Sequence, residues 1–381
     1  MSEYQCYEFL ALDRPLTAKQ MAELRAISTR AEISPTRFWN EYQWGDFKGD
    51  PAKLMERYFD AHLYFANWGT HRLMLRIPKS RVDLKLLRQY FVGGPEKRLT
   101  TAGEHVVLDL VSDTEEPEYE EGDRGALGAL SPLRAELVGG DLRSAYLAWL
   151  LSVQADDVDD DATEPPVPPG LEELTAAQQA MIDFLRIDVD LVAAAAMASA
   201  TMTDDRQPLL RWVAAMSAKE KDVWLRRAIE EPVLALGTEL LRAYRVTRKS
   251  ESAQNRRTVG ELRVQAEAQR ASREKAEAAR AKRARAAAEA ARNRQLAKLG
   301  RDIDGAWAEL EKLVESSKYD EAVKLAVDLR DLALRDPGET TFAGRFEALR
   351  KRQQRRRGFF DRWKRANEHG PGDRWTRRPT W

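Results

Sequence analysis

Tyr4–Leu12 (YQCYEFLAL) followed by Thr17–Ser28 (TAKQMAELRAIS) is the stretch on which the fold turns. The first run is aromatic and β-favouring, and predicts a strand. The second spaces Met21, Leu24 and Ile27 at helical intervals behind Thr17, a candidate N-cap, and predicts a helix. Outward from this pair, Glu32–Phe38 and Asn40–Phe47 are expected as two short strands. Asp50-Pro51 sets an N-cap residue before a proline suited to the first helical position, opening a helix over Pro51–Asp60. His62–Ala66 and Arg72–Ile77 are expected as a hairpin across Asn67-Trp68-Gly69-Thr70, Leu84–Tyr90 as one more helix and His105–Val111 as one more strand. The opening order β-α-β-β-α-β matches a ferredoxin-like α+β sandwich. The fold class expected is therefore an α+β domain over residues 1–112, followed by mainly α-helical domains with a long charged helix.

The rest of the chain divides by composition. Residues 113–123 hold seven acids and predict a solvated loop. Residues 124–155 form a helical segment, in which Asp141–Ala155 has the pattern of an amphipathic helix capped by Asp141. Residues 156–170, with five aspartates, one glutamate and four prolines, predict a solvated linker. Residues 171–250 predict a helical domain: two helices lie within Leu174–Ser199, Ser217 and Glu220 form a capping box, and Pro232 opens a further helix.

Residues 251–315 change character. Alanine supplies 13 of the 27 residues from Gln265 to Ala291, most of the others are charged, and no large apolar side chain lies between Val264 and Leu296. High helix propensity without a core stripe predicts a solvated or alanine-seamed helix. From Leu296 a seam follows through Leu299, Ile303, Trp307, Leu310 and Val314, the pattern of coiled-coil or helical-hairpin packing. Residues 316–357 predict a helical hairpin with a third helix, and residues 358–381 a basic aromatic tail.

Tyr319-Asp320-Glu321-Ala322-Val323 with Asp328-Leu329-Arg330-Asp331-Leu332-Ala333 resembles the helical tail of uncharacterised bacterial proteins, some of which carry a SWIM zinc finger. The resemblance covers about 60 residues and implies a helical hairpin. A SWIM site requires cysteines that this chain lacks, so no zinc ligand, catalytic residue or binding residue carries over.

Charge is balanced in total, 62 basic against 62 acidic side chains, but polarised along the chain: residues 1–170 carry net −10 and residues 251–381 net +11. Such polarity suits oriented association with itself or with a polyanion. The single cysteine, Cys6, excludes an internal disulfide and any zinc site with two cysteines, and is expected as a small buried hydrophobe. No signal-peptide pattern or membrane-length apolar run occurs, so a cytoplasmic location is expected.

Motifs for phosphate loops, dinucleotide loops, zinc proteases and nucleophile elbows are missing from the sequence. Asp46-Phe47-Lys48 and Asp83-Leu84-Lys85 have the D-x-K spacing of some metal nucleases but no convincing upstream carboxylate, and His62 with His71 lacks a third ligand. No catalytic, cofactor-binding or metal residue is assigned, and no cofactor is expected. Two clusters remain. Trp39, Tyr42, Trp44 and Phe47 form either a sheet core closed by a glycine turn or a partner patch of interface aromatics. Residues 350–365 carry nine basic side chains (Arg350, Lys351, Arg352, Arg355, Arg356, Arg357, Arg362, Lys364 and Arg365) interleaved with Phe359, Phe360 and Trp363. That composition suits a solvated helix end, nucleic acid, an acidic protein or an anionic membrane surface. The expected function is non-enzymatic interaction or scaffolding with a protein partner, with self-association through the long helix. The alternative is accessory nucleic-acid binding through the basic tail.

Overall fold

A computed structural model describes residues 4–92, 97–114, 125–202, 206–230, 236–247, 256–335 and 342–368. The chain forms two compact units, Met1–Arg273 and Glu274–Trp381.

The first unit is built on a seven-stranded antiparallel sheet. Its elements run β1 (Gln5–Leu10), α1 (Ala18–Ile27), β2 (Glu32–Ile33), β3 (Arg37–Tyr42), α2 (Pro51–Arg57), β4 (Ala61–Ala66), β5 (Thr70–Pro78), α3 (Leu84–Leu87), β6 (Lys97–Ala102) and β7 (His105–Asp113). The strand order is β2-β3-β1-β4-β5-β7-β6. Its first four strands with α1 and α2 are two interlocked split βαβ units, the ferredoxin-like order expected from the sequence. Three further strands extend the sheet beyond β4.

Local chemistry starts and stops these elements. Thr17 and Gln20 close a capping box on α1, and Asp50 accepts from the N–H groups of Ala52 and Lys53 ahead of Pro51. The expected strands at 32–38 and 40–47 are corrected to β2 and β3. Ser34-Pro35-Thr36 is a turn closed by Ser34 and Arg37, whose N–H groups bond each other's carbonyls at 2.8 and 3.4 Å, and Pro35 has no N–H to give a ladder. The β4–β5 hairpin turns at Gly69, whose φ is +112° and where a Cβ would meet the Thr114 carbonyl at 2.1 Å. β6 was not expected; its sequence, KRLTTA, opens on two cations and shows little alternation.

Strand alternation gives the sheet two buried faces. On one, Phe9, Phe38, Phe59 and Met74 pack under Leu24 of α1 and Leu54 and Met55 of α2. On the other, Cys6, Leu63, Leu73, Leu75, Leu108 and Leu110 pack under a layer of helices: α4 (Ala126–Leu130), α5 (Pro132–Val138), α6 (Arg143–Gln154), α7 (Ala176–Leu185) and α8 (Val189–Ala196). The amphipathic expectation for 141–155 is corrected. Every residue of α6 from Arg143 to Val153 is buried, so the helix is enclosed on all sides. Its charged member, Arg143, is neutralised by Asp141 and donates to the carbonyls of Gly170 and Glu173.

The unit continues through α9 (Arg206–Ala215), α10 (Ala218–Glu230) and α11 (Leu236–Thr247). Ser217 and Glu220 form the expected capping box of α10. Pro232, expected to open a helix, lies outside the described residues. α12 (Val259–Leu299) passes from the first unit into the second and, through one 3₁₀ turn at Gly300–Asp302, is followed by α13 (Ile303–Glu315).

In the second unit α13 packs with α14 (Tyr319–Arg335), α15 (Phe342–Arg352) and α16 (Arg357–Glu368). The seam expected from Leu296 onward is internal to this bundle: Leu310 and Val314 are fully buried against Ala322, Ala326, Leu329, Leu349 and Phe359. The expected tail from residue 358 is corrected for its first part, because Arg357–Glu368 is a helix that closes the bundle. The tail beyond 368 lies outside the described residues.

Candidate functional site

Residues 156–170 are the largest departure from the sequence reading. Rather than a solvated linker, they pack into the first unit. Val158, Glu164, Pro165, Pro166 and Pro168 face other atoms; Val158 is 8% exposed and Glu164 1% exposed. Their backbone pairs with the start of α12. Val259 N–H donates to the Ala162 carbonyl at 2.9 Å, Gly260 N–H to the Asp160 carbonyl at 2.9 Å, and Glu164 N–H to the Arg257 carbonyl at 3.1 Å.

The charges of this segment have arginine partners. Glu164 takes both arms of the Arg257 guanidinium, Nε at 2.7 Å and Nη2 at 2.9 Å, and accepts from the Tyr146 hydroxyl. Burial and the Glu164 carboxylate push the Tyr146 hydroxyl well above its ordinary value. Along α12, Arg263 pairs with Asp156 and Asp160 at 2.7 Å each. Arg270 reaches Asp188 at 2.6 Å, and Arg273 reaches Asp190 at 2.8 Å. Hydrogen bonds from Arg273 hold the Asp190 carboxyl below its ordinary value, against the opposing effect of burial. With Val259, Leu262 and Ala266 buried, this row of arginines fastens the first turns of α12 to its own unit.

At its other end, α12 is fastened inside the second unit. Arg292 pairs with Asp328 and, at 2.7 Å, with Asp331; Gln295 donates to Asp328 at 2.6 Å; Leu296 is 1% exposed. Between the two fastenings, every residue from Glu274 to Ala291 is exposed.

The basic segment forms the α15–α16 corner of the second unit. Its aromatic residues point inward. Phe359 is fully buried. Trp363 lies 4.8 Å from the Phe346 ring and 5.7 Å from the Phe342 ring, with Arg330 over its face at 5.7 Å. Phe360 packs on Phe346 and Phe359. This packing turns the cations outward. Arg352 binds Glu311 with both arms, at 2.8 and 3.1 Å, which lowers the Glu311 pKa. Arg356 donates to the Ser317 hydroxyl at 3.1 Å, and Arg362 lies 3.4 Å from Asp320. Lys364 and Arg365 are exposed. Arg350, Lys351, Arg355 and Arg357 are also exposed and form no ion pair with any described residue. Asp361 is exposed in their midst.

The proposed aromatic patch of the first unit is corrected. Trp39 and Phe47 are each only 9% exposed, and Phe47 packs with Tyr7, Phe9 and Phe38. Tyr42 is half-buried against Tyr7 and accepts from Asn40. Trp44, beside the turn at Gly45, is 83% exposed. Tyr42 and Phe47 thus serve the sheet core, because the loop after β3 folds back over its own strand, and Trp39 is buried on β3.

The weaker motifs resolve as structural. His62 and His71 lie on opposite faces of the sheet, His62 stacked on Phe9 and His71 on Phe184. Burial lowers the His62 pKa to about 3. Asp83 caps α3, and Asp46 accepts from Gln5. Cys6 is buried, which pushes its thiol up to about 12. Among the described residues no three histidine, cysteine, aspartate or glutamate side chains cluster as metal ligands, and no helix is long and apolar enough to cross a membrane. An open groove of about 390 Å³ beside α7 and α8 is lined mainly by aliphatic side chains such as Leu171, Ile182 and Val192. Comparison with family models, curated proteins and solved structures found no match, so the residues themselves carry the functional reading.

Sequence reasoning missed the arginine row on α12 and its aspartate receptors. Arg263, Arg270 and Arg273 are spaced seven and three apart, which places them on one helical face, and that signal was present. The identity of their receptors was not, because Asp156, Asp160, Asp188 and Asp190 are more than 80 residues away from the arginines they bind.

Proposed function

We propose that this chain is a non-enzymatic interaction or scaffolding protein in which a long helix joins an acidic unit to a basic one. The observation that carries this reading is the exposed span of α12. From Glu274 to Ala291 the helix meets no core, yet both of its ends are fastened by buried apolar residues and arginine–carboxylate pairs. A helix that builds no core of its own and is anchored at both ends suits the role of a connector. Charge follows the same division. Residues 1–273 carry 35 basic and 44 acidic side chains, net −9, and residues 274–381 carry 27 and 18, net +9. Oppositely charged units on one chain favour different partners, or the two ends of two copies. The exposed alanine-rich span is the candidate surface for self-association.

The test is cross-linking mass spectrometry on the full chain in its source cells, with sedimentation of the purified protein. The expected result is intermolecular cross-links on both units. If every intermolecular cross-link falls within one unit and the protein sediments as a monomer at all concentrations, the connector reading fails.

A further inference from the structure

We propose that the α15–α16 corner is a docking site for the phosphate backbone of duplex nucleic acid, recognised by charge and not by base. The inference goes beyond the connector reading and does not depend on it. Arg350, Lys351, Arg355 and Arg357 fall within eight residues of chain around one corner, all exposed and without an ion pair among the described residues. Three of the four are arginines, whose planar fork matches phosphate oxygens two at a time.

The inward packing of the aromatic residues selects among polyanions. Single-strand binding draws on open aromatic faces for base stacking. Here Phe359 is fully buried, and the Trp363 ring is occupied by Phe342, Phe346 and Arg330. Attachment to a membrane surface draws on an apolar face free to enter the headgroup layer, and that face of α16 is spent on the bundle core. A tight protein interface draws on a buried aromatic anchor, and the aromatic side chains of this corner serve the bundle instead. What the corner offers is unpaired cations on two helices packed against the bundle core, opposed by the carboxylate of Asp361. That combination fits a regular array of phosphates, whose binding free energy comes from counterion release.

The experiment uses the full chain and a random-sequence duplex of about two helical turns. Four phosphate contacts correspond to a log–log salt slope of about −3.6, which is roughly a 100-fold loss of affinity between about 50 and 200 mM salt. R350Q/K351Q/R355Q/R357Q is expected to abolish this binding without changing the circular dichroism spectrum, since all four side chains are exposed. The matching arginine-to-lysine variant is expected to keep the slope and most of the affinity. Three comparison ligands complete the test: a single strand of the same length, vesicles containing phosphatidylserine, and polyglutamate. Tightest binding to the duplex supports the proposal. Any of four results overturns it: no duplex binding at about 50 mM salt, equal binding by the glutamine variant, tighter binding to the single strand, or equal or tighter binding to the vesicles or to polyglutamate.

Discussion

Two stretches of α12 carry three arginines each, but only the first also carries large apolar side chains, and their surroundings differ. From Val259 to Arg273 the helix carries arginines at 263, 270 and 273, all paired with aspartates, and buries Val259, Leu262 and Ala266. From Glu274 to Ala291 it carries arginines at 280, 283 and 285, and every residue is exposed. The contrast teaches that an alanine- and arginine-rich sequence settles helicity and leaves docking open. Docking depends on apolar side chains of the helix itself, here Val259 and Leu262, and on carboxylates that lie opposite. Asp156, Asp160, Asp188 and Asp190 supply the receptors for the first half, and nothing among the described residues supplies them for the second.

The largest way to break the contrast is at Glu164. It is 1% exposed and carries the Arg257 guanidinium and the Tyr146 hydroxyl. Glu164→Ala leaves Arg257 without its buried counter-charge and is expected to cost about 3–5 kcal/mol, seen as a lower urea midpoint for the first unit. A midpoint within error of wild type would mean that the start of α12 is not fastened there. In the second unit, Leu310→Ala removes a fully buried side chain from the bundle and is expected to cost about 2–5 kcal/mol. Hydrogen exchange would show the loss confined to α13–α16.

A pH titration sharpens the comparison. Asp190 and Asp60 both have lowered pKa values. For Asp190 the chief cause is Arg273. For Asp60 burial pushes upward, and the N–H of Asp13 with the Arg76 guanidinium outweighs it. A depressed carboxyl contributes stability that is present above its ordinary value of 3.8 and is lost as pH falls through the lower native value. The first unit is therefore expected to weaken as the solution is taken below about pH 4, and Asp190→Asn to weaken less steeply over the same window. Parallel denaturation curves for the two proteins would show that Asp190 contributes nothing to the fastening.

The smallest effect belongs to the exposed span. Ala284→Gly is expected to cost helix stability of about 1 kcal/mol, visible as fraying of residues 274–291 in hydrogen exchange. The unfolding midpoints of both units should stay unchanged. A shift in either midpoint would place the span in a packed contact.

Much of the architecture was legible in local signals. Thr17, Asp50 and Ser217 marked helix starts, and strand alternation located β1, β4, β5 and β7. The ferredoxin-like order followed from the element order alone. Where the reading failed, the cause was a distant partner. Asp156–Gly170 has the composition of a solvated linker, and any local rule would place it in water. It packs because Arg257 and Arg263 approach it from about 100 residues further along the chain. Phe47 belongs to a cluster with the composition of an interface patch and became core because the loop after β3 closed over Phe9 and Phe38, while Trp39 is buried within the sheet on β3.

By itself the sequence determined most of the helices and strands, but not β6 or the bounds of β2 and β3. It also determined the polarity of charge along the chain and the absence of a cysteine framework. These follow from propensity, capping and periodicity, which act within a few residues. Only the tertiary structure decided which charges are spent and which are free. Nine cations between residues 350 and 365 look alike in the sequence. Four stand exposed and unpaired among the described residues, while Glu311 and Asp320 take Arg352 and Arg362. Pairing is decided by distance in space, and the packing of α13 and α14 against α15 and α16 settled which carboxylates lie near.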